Sequence, residues 1–146
     1  MYKSNKPKYP VRKFNPRMAQ LLRVVSAELG ERTEAVVDYA FQMARKEPNF
    51  PQWILEWKQH EKWSEMDMKG IDYTFTTDVG DIGVQIKSSK RSADDFRWYH
   101  REDSQKILVV VIDVTQQPLQ IYDKVRNGLF LHRREILRSR AQTTTE

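Results

Sequence analysis

Apolar residues recur along this chain with two periods, and the switch between them divides it into elements. Met18, Leu21, Leu22, Val25 and Leu29 are spaced by three and four, which predicts a helix over Met18 to Leu29 that Gly30 ends. Val36, Val37, Ala40, Phe41 and Ala44 repeat the pattern and predict a second helix from Thr33 to Lys46, stopped by Pro48. Phe50 to Lys58 fits either a helical turn or a strand, and Trp53, Ile54, Leu55 and Trp57 favour the strand.

After a polar loop from Ser64 to Gly70, the period becomes two. Ile71, Tyr73 and Phe75 alternate with Asp72 and Thr74, and Ile82, Val84 and Ile86 alternate with Gly83, Gln85 and Lys87. Asp78-Val79-Gly80-Asp81 between them reads as a turn, so the segment is a hairpin with one apolar and one polar face. Asp72, Gln85 and Lys87 fall on the polar face. Ser92 to Arg101 predicts a short helix with Ser92 as cap and Asp94 and Asp95 in its first turn. Lys106 to Val114 contains six consecutive apolar residues, Ile107 to Ile112, and reads as a strand buried on both faces. Beyond Pro118, Leu119 to Tyr122 suggests a strand and Leu131 to Arg140 a basic helix, and Gln142 to Glu146 a frayed tail. The order predicts an α/β domain with a mixed sheet over residues 17–140, a basic arm over 1–16 and a polar tail over 141–146.

Composition narrows the chemistry. The 146 residues suit one domain, and four Trp, six Tyr and six Phe supply bulk for its core. With no cysteine there is no disulfide and no thiolate metal site. His60, His100 and His132 are too scattered to suggest a zinc site. No signal peptide stands out, and no apolar run approaches the roughly 20 residues that span a bilayer. The expectation is a cytoplasmic protein without membrane contact. Net charge is +5, concentrated at the ends. Met1 to Arg23 holds seven Lys or Arg and no acid, and in Lys124 to Arg140 six basic residues face only Glu135. A polyanion, DNA or RNA, is the natural partner.

Asp72, Gln85 and Lys87 add a candidate centre to that charge. Antiparallel pairing of the two hairpin strands would gather a carboxylate, an amide oxygen and an ammonium on one face, a set suited to phosphodiester hydrolysis around a hard cation. Gly70-Ile71-Asp72 followed by Gln85-Ile86-Lys87 resembles the PD-(D/E)xK nuclease superfamily. Ser64 to Asp72 is similar to the loop many members carry before the metal-binding Asp. Gly30-Glu31-Arg32-Thr33-Glu34 is similar to the archaeal Holliday junction resolvase branch, in which a glycine followed four residues later by a glutamate opens the first core helix. In element order the similarity runs from about Gly30 to Val114.

The resemblance implies a restriction-endonuclease-like fold, a central mixed β-sheet flanked by helices with an αβββαβ core. It implies a magnesium-dependent endonuclease acting on DNA, branched or structured forms included, with manganese as a substitute metal. Asp72 would be the central ligand, Gln85 and the Ile86 carbonyl further ligands, Lys87 the residue that positions water and balances charge, and Glu34 the completion of the site. Ser88 would be a supporting hydrogen-bond partner. Lys90, Arg91, Arg97 and Arg101, near the aromatic-basic run Trp98 to Arg101, and Arg133 and Arg134 would contact nucleic acid. Resolvase-like relatives cut two strands as dimers, so a homodimer is compatible.

One departure matters. Glutamine stands at position 85, where the superfamily usually carries Asp or Glu, and a neutral ligand weakens attraction for magnesium. Two other functions therefore stay open: a catalytically inactive nucleic-acid-binding module on the same fold, and a small phage or plasmid protein-interaction factor. Trp53, Trp57, Trp63 and Trp98 are expected in the core.

Overall fold

The computed structural model describes residues 33–101, 107–113 and 115–143. The basic arm and the Met18 to Leu29 helix lie outside the described residues. Helix α1 covers residues 33–44. It is followed by strand β1 (Ile54–Gln59), the short helix α2 (Glu65–Met68), strands β2 (Tyr73–Thr77) and β3 (Gly80–Lys87), helix α3 (Lys90–Tyr99), strand β4 (Ile107–Val111) and helix α4 (Pro118–Thr143).

The four strands form one sheet in the order β1-β2-β3-β4. The first two pairings are antiparallel and β3 with β4 is parallel, so the sheet is mixed. The parallel pair requires a crossover, which α3 supplies. Thr77 pairs with Gly80, leaving a two-residue turn of Asp78 and Val79, and Gly80 adopts φ +108°, a conformation suited to glycine.

One face of the sheet carries the core. Tyr73 and Phe75 of β2, Ile82, Val84 and Ile86 of β3, and Val110 and Ile112 are buried there with Val37, Ala40 and Phe41 of α1 and Ile121, Tyr122, Val125 and Leu129 of α4. Phe41 is the hub of this layer. Its ring centroid lies 4.9 Å from Phe75, 5.0 Å from Tyr122 and 5.4 Å from Trp57. The other face is covered by α3, through Ala93 and Phe96, and by Ile71, whose side chain sits over Gly83.

Several local expectations are corrected. Ser64 to Gly70 is not all loop, because Ser64 caps α2 by accepting from the Asp67 amide. The cap of α3 is Ser89, not Ser92; its hydroxyl accepts the Ser92 amide, and the first turn contains no acid. Leu119 to Tyr122 is not a strand. A single helix of 26 residues runs from Pro118, through the expected basic helix and into the expected tail. Proline at the first helical position fits its fixed φ, and burial of Ile121, Tyr122, Val125 and Leu129 supplies the helical face. Strand β4 is not buried throughout: Ile107 and Val110 are buried and Leu108, Val109 and Val111 only partly so, because it is the last strand of the sheet among the described residues. Trp63 and Trp98 are exposed, while Trp53 and Trp57 pack against the core.

Phe41→Ala should cost about 3–5 kcal/mol, since it removes the ring on which three others converge. Phe130→Ala, on the exposed side of α4, should stay within about 0.5 kcal/mol. Urea denaturation of both variants tests this, and equal losses would refute the placement of the core.

Candidate active site

Register alone brings three of the expected residues together. Tyr73 lies opposite Val84, so Asp72, one residue before β2, lies beside Gln85. Its backbone ties three segments: the Asp72 amide donates to the Val84 carbonyl (2.9 Å), and its carbonyl accepts from the His60 amide (2.8 Å). Its side chain does what a neighbouring strand would otherwise do. Asp72 Oδ2 accepts the Ile86 amide at 2.7 Å, just beyond the last paired residue of β2.

The same bond orients a further donor. Lys87 turns its carbonyl toward β4, where it accepts the Ile112 amide at 2.8 Å, and Ile86 turns its amide the other way, toward Asp72. The amide and carbonyl of one extended residue point to the same side, so the Ile86 carbonyl also faces the Asp72 edge. Asp72, Gln85, Ile86 and Lys87 therefore meet at the carboxyl end of β3, where open α/β sheets commonly bind ligands.

The expected polar face is polar in composition but buried. Asp72 is 3% exposed and Gln85 7%. Val109 of β4 pairs with Gln85 and offers it no polar side chain. Gln85 Oε1 is buried without a hydrogen-bond partner among the described residues, a costly state that a ligand would relieve. Burial pushes the Asp72 carboxyl up to about 7; the Ile86 amide opposes this, Glu34 adds to it, and Lys87 opposes it. Glu34, in the first turn of α1, is thus close enough to act on Asp72. The Lys87 ammonium lies 5.2 Å from the centre of the Phe96 ring of α3. Gly70, at φ +82°, lets the chain pass under that ring, where a Cβ would come within 2.7 Å of Phe96.

Two cavities are lined by residues around the site, though not by Asp72 or Gln85 themselves. One, of about 370 Å³, is lined by Glu34 and by Gln59 to Lys62. The other, of about 360 Å³, is lined by Lys87, Ser92, Asp95, Phe96, Tyr99 and His100. His60 joins the site through its backbone and through Nε2, 2.7 Å from the Thr74 hydroxyl. Sequence reasoning considered His60 only as a zinc ligand, since no local pattern reveals that it abuts Asp72. His100 stacks on Phe96 at 4.2 Å.

The donor set fits a hard divalent cation. Asp72 Oδ1, the unpartnered Gln85 Oε1, the Ile86 carbonyl and the Glu34 carboxylate are all oxygen donors. It is a lean set, because no three His, Cys, Asp or Glu side chains among the described residues are grouped to hold an ion.

The basic residues divide into two groups. Lys90, Arg91, Arg97 and Arg101 lie exposed on or just after α3. Arg97 pairs with Asp94 at 3.2 Å, and the Arg101 guanidinium lies over Trp98 at 4.5 Å. Arg133 sits at the other end of the sheet. It grips Asp78 of the hairpin turn with two bonds of 2.7 and 2.8 Å and covers the Trp53 ring, which makes it a strut between α4 and the turn. Arg134 follows it on the exposed side of α4. Among the described residues, no helix is long and apolar enough to cross a membrane.

No family model, curated protein or solved structure matches this chain.

The buried carboxyl gives a stability prediction. Asp72 holds its proton more tightly folded than unfolded. Below about pH 4 both states carry the proton. As pH rises toward about 7 the unfolded chain releases it first, so folding stability falls, and above about 7 the loss is complete. Asp72→Asn can still accept the Ile86 amide but cannot ionise. In EDTA, its stability relative to wild type should rise between pH 4.5 and 8 by roughly 2–4 kcal/mol. A difference independent of pH in urea titrations would refute the burial of a strained carboxylate.

Proposed function

We propose that this chain is a divalent-metal-dependent endonuclease of the restriction-endonuclease-like fold, hydrolysing DNA phosphodiester bonds at a centre formed by Asp72, Glu34, Gln85 and Lys87. The observation that carries the reading is the Gln85 oxygen, without a partner among the described residues and buried beside a carboxyl whose proton affinity is raised. Structural proteins seldom retain two such costs side by side, whereas functional sites do. The element order supports the reading. A helix, a three-stranded antiparallel meander, a crossover helix and a strand parallel to the third follow the αβββαβ order of that fold.

The residues take separate tasks. Asp72 and Glu34 provide the negative charge that draws a cation, and Gln85 and the Ile86 carbonyl provide neutral oxygen donors. A magnesium ion, or manganese in its place, would supply Lewis acidity toward a phosphate oxygen and acidify water. The Lys87 ammonium, held beside Phe96, orients the attacking water and offsets charge developing on the phosphate. Lys90, Arg91, Arg97 and Arg101 give α3 a basic side along which a nucleic-acid backbone can lie, DNA first and RNA by the same electrostatics.

Gln85 also favours a second reading, a binding module without hydrolysis, because the neutral amide leaves only two carboxylates in the set. Cleavage of linear, single-stranded and four-way-junction DNA with magnesium or manganese, beside Lys87→Ala, separates the two. Endonuclease activity predicts metal-dependent cutting that falls roughly 100-fold or more in the variant. Salt-sensitive binding without cutting under either metal would overturn catalysis and leave the binding module. Failure to bind at low salt would overturn both.

A further inference from the structure

Tyr73 follows Asp72 directly, and its side chain leaves the opposite face of the sheet. The ring is fully buried in the core beside Phe75, at 5.9 Å between centroids. Its hydroxyl reaches α1 at one defined place. It donates to the Glu34 carbonyl and accepts the Asp38 amide at 3.2 Å. These are residues i and i+4, the two backbone groups that an α-helix pairs with each other. A side chain from β2 thus enters the hydrogen-bond ladder of the helix at the turn that carries Glu34. Burial pushes the phenol pKa up, so the hydroxyl keeps the proton it donates.

A second tether lies nearby. The Trp57 indole of β1 donates to Asp38 Oδ1 at 2.8 Å. It holds the same helix but does not touch the Glu34 carbonyl. Glu34 is near enough to raise the Asp72 pKa, and the Tyr73 hydroxyl ties the Glu34 backbone to the residue that follows Asp72.

We infer that Tyr73 is a positioning residue. Its hydroxyl, inserted between the Glu34 carbonyl and the Asp38 amide, sets the distance from the Glu34 carboxylate to Asp72 and so tunes the affinity of the pair for a divalent cation. This rests on the proposed metal site. The chain position of the site and its tether are the same: residue 72 offers the carboxylate on one face, and residue 73 reaches through the core to hold the second carboxylate in range.

Manganese binding to the full-length protein, without DNA, is the test. Free Mn2+ is followed by electron paramagnetic resonance, and circular dichroism checks the fold of every variant. Tyr73→Phe keeps the ring and removes only the hydroxyl. It should weaken Mn2+ binding by roughly tenfold, the scale expected when a group that orients a ligand is lost. Glu34→Gln should weaken it at least as much, and the double variant no more than Glu34→Gln alone, because the hydroxyl acts through that carboxylate. Trp57→Phe should lower thermal stability and leave the affinity unchanged.

Wild-type affinity in Tyr73→Phe, with weakened binding in Glu34→Gln, would overturn the inference and spare the metal site. Equal weakening in Trp57→Phe, additive losses in the double variant, or a Tyr73→Phe chain that no longer folds would also overturn it, since each is the mark of general loosening of α1. If wild type bound no Mn2+ that Asp72→Asn abolishes, the metal site itself would fall, and the inference with it.

Discussion

The hydrogen bond from the Ile86 amide to the Asp72 carboxylate is the joint on which the rest of this structure turns. Strand β3 is shared between two neighbours, antiparallel β2 on one edge and parallel β4 on the other. The two ladders do not end together. Pairing with β2 stops at Val84, while pairing with β4 continues to Lys87. The Ile86 amide would be left without a strand partner on the β2 side, in a buried position, at a cost of about 1–3 kcal/mol. The Asp72 carboxylate fills that place. By doing so it aligns the end of β3, and with it the direction of Gln85, the Ile86 carbonyl and Lys87.

The joint carries a cost of its own. A carboxylate placed there leaves water, and the neighbouring Glu34 makes its ionisation harder still. The Gln85 amide beside it has an oxygen that nothing among the described residues satisfies. Asparagine at 72 would keep the Ile86 bond without the charge, and an apolar residue at 85 would avoid the unsatisfied oxygen. Keeping both is explicable when the polar atoms have a partner outside the chain. The opposite end of the hairpin shows the contrast: Asp78 meets Arg133 in two short bonds and is satisfied within the fold. Burial pulls Asp72 away from the charged form, and the guanidinium lowers the pKa of Asp78 and favours its charged form. The first is a polar pair held at a cost within the fold, and the second is a brace.

Much of the fold around the candidate site was legible in the sequence. Alternation of apolar and polar residues from Ile71 to Lys87 identified the hairpin, and the 3–4 spacing from Val36 to Ala44 identified α1. Other elements misled for physical reasons. Leu119 to Tyr122 is too short for periodicity to distinguish strand from helix, and burial against β4 decided it. Close approach at Gly128, where Leu108 fills the space that a side chain would need, lets α4 lie on that strand. Ser89 and Ser92 are equivalent as caps by composition, and the end of β3 at Lys87 determines which is used. The run from Ile107 to Ile112 has the composition of a central strand, yet β4 has β3 as its one partner among the described residues.

The sequence by itself determined which side chains share a face, because the two-residue period of a strand and the 3.6-residue period of a helix are local properties of the backbone. Asp72, Gln85 and Lys87 were on one side of the hairpin by that rule alone. Tertiary structure decided what that side faces. It laid α3 over the polar face, on which the Asp72 carboxyl and the Gln85 amide are buried. It also carried the Tyr73 hydroxyl to a helix 39 residues back in the chain. Burial and long-range register arise from the stacking of layers, to which no spacing within a single element refers.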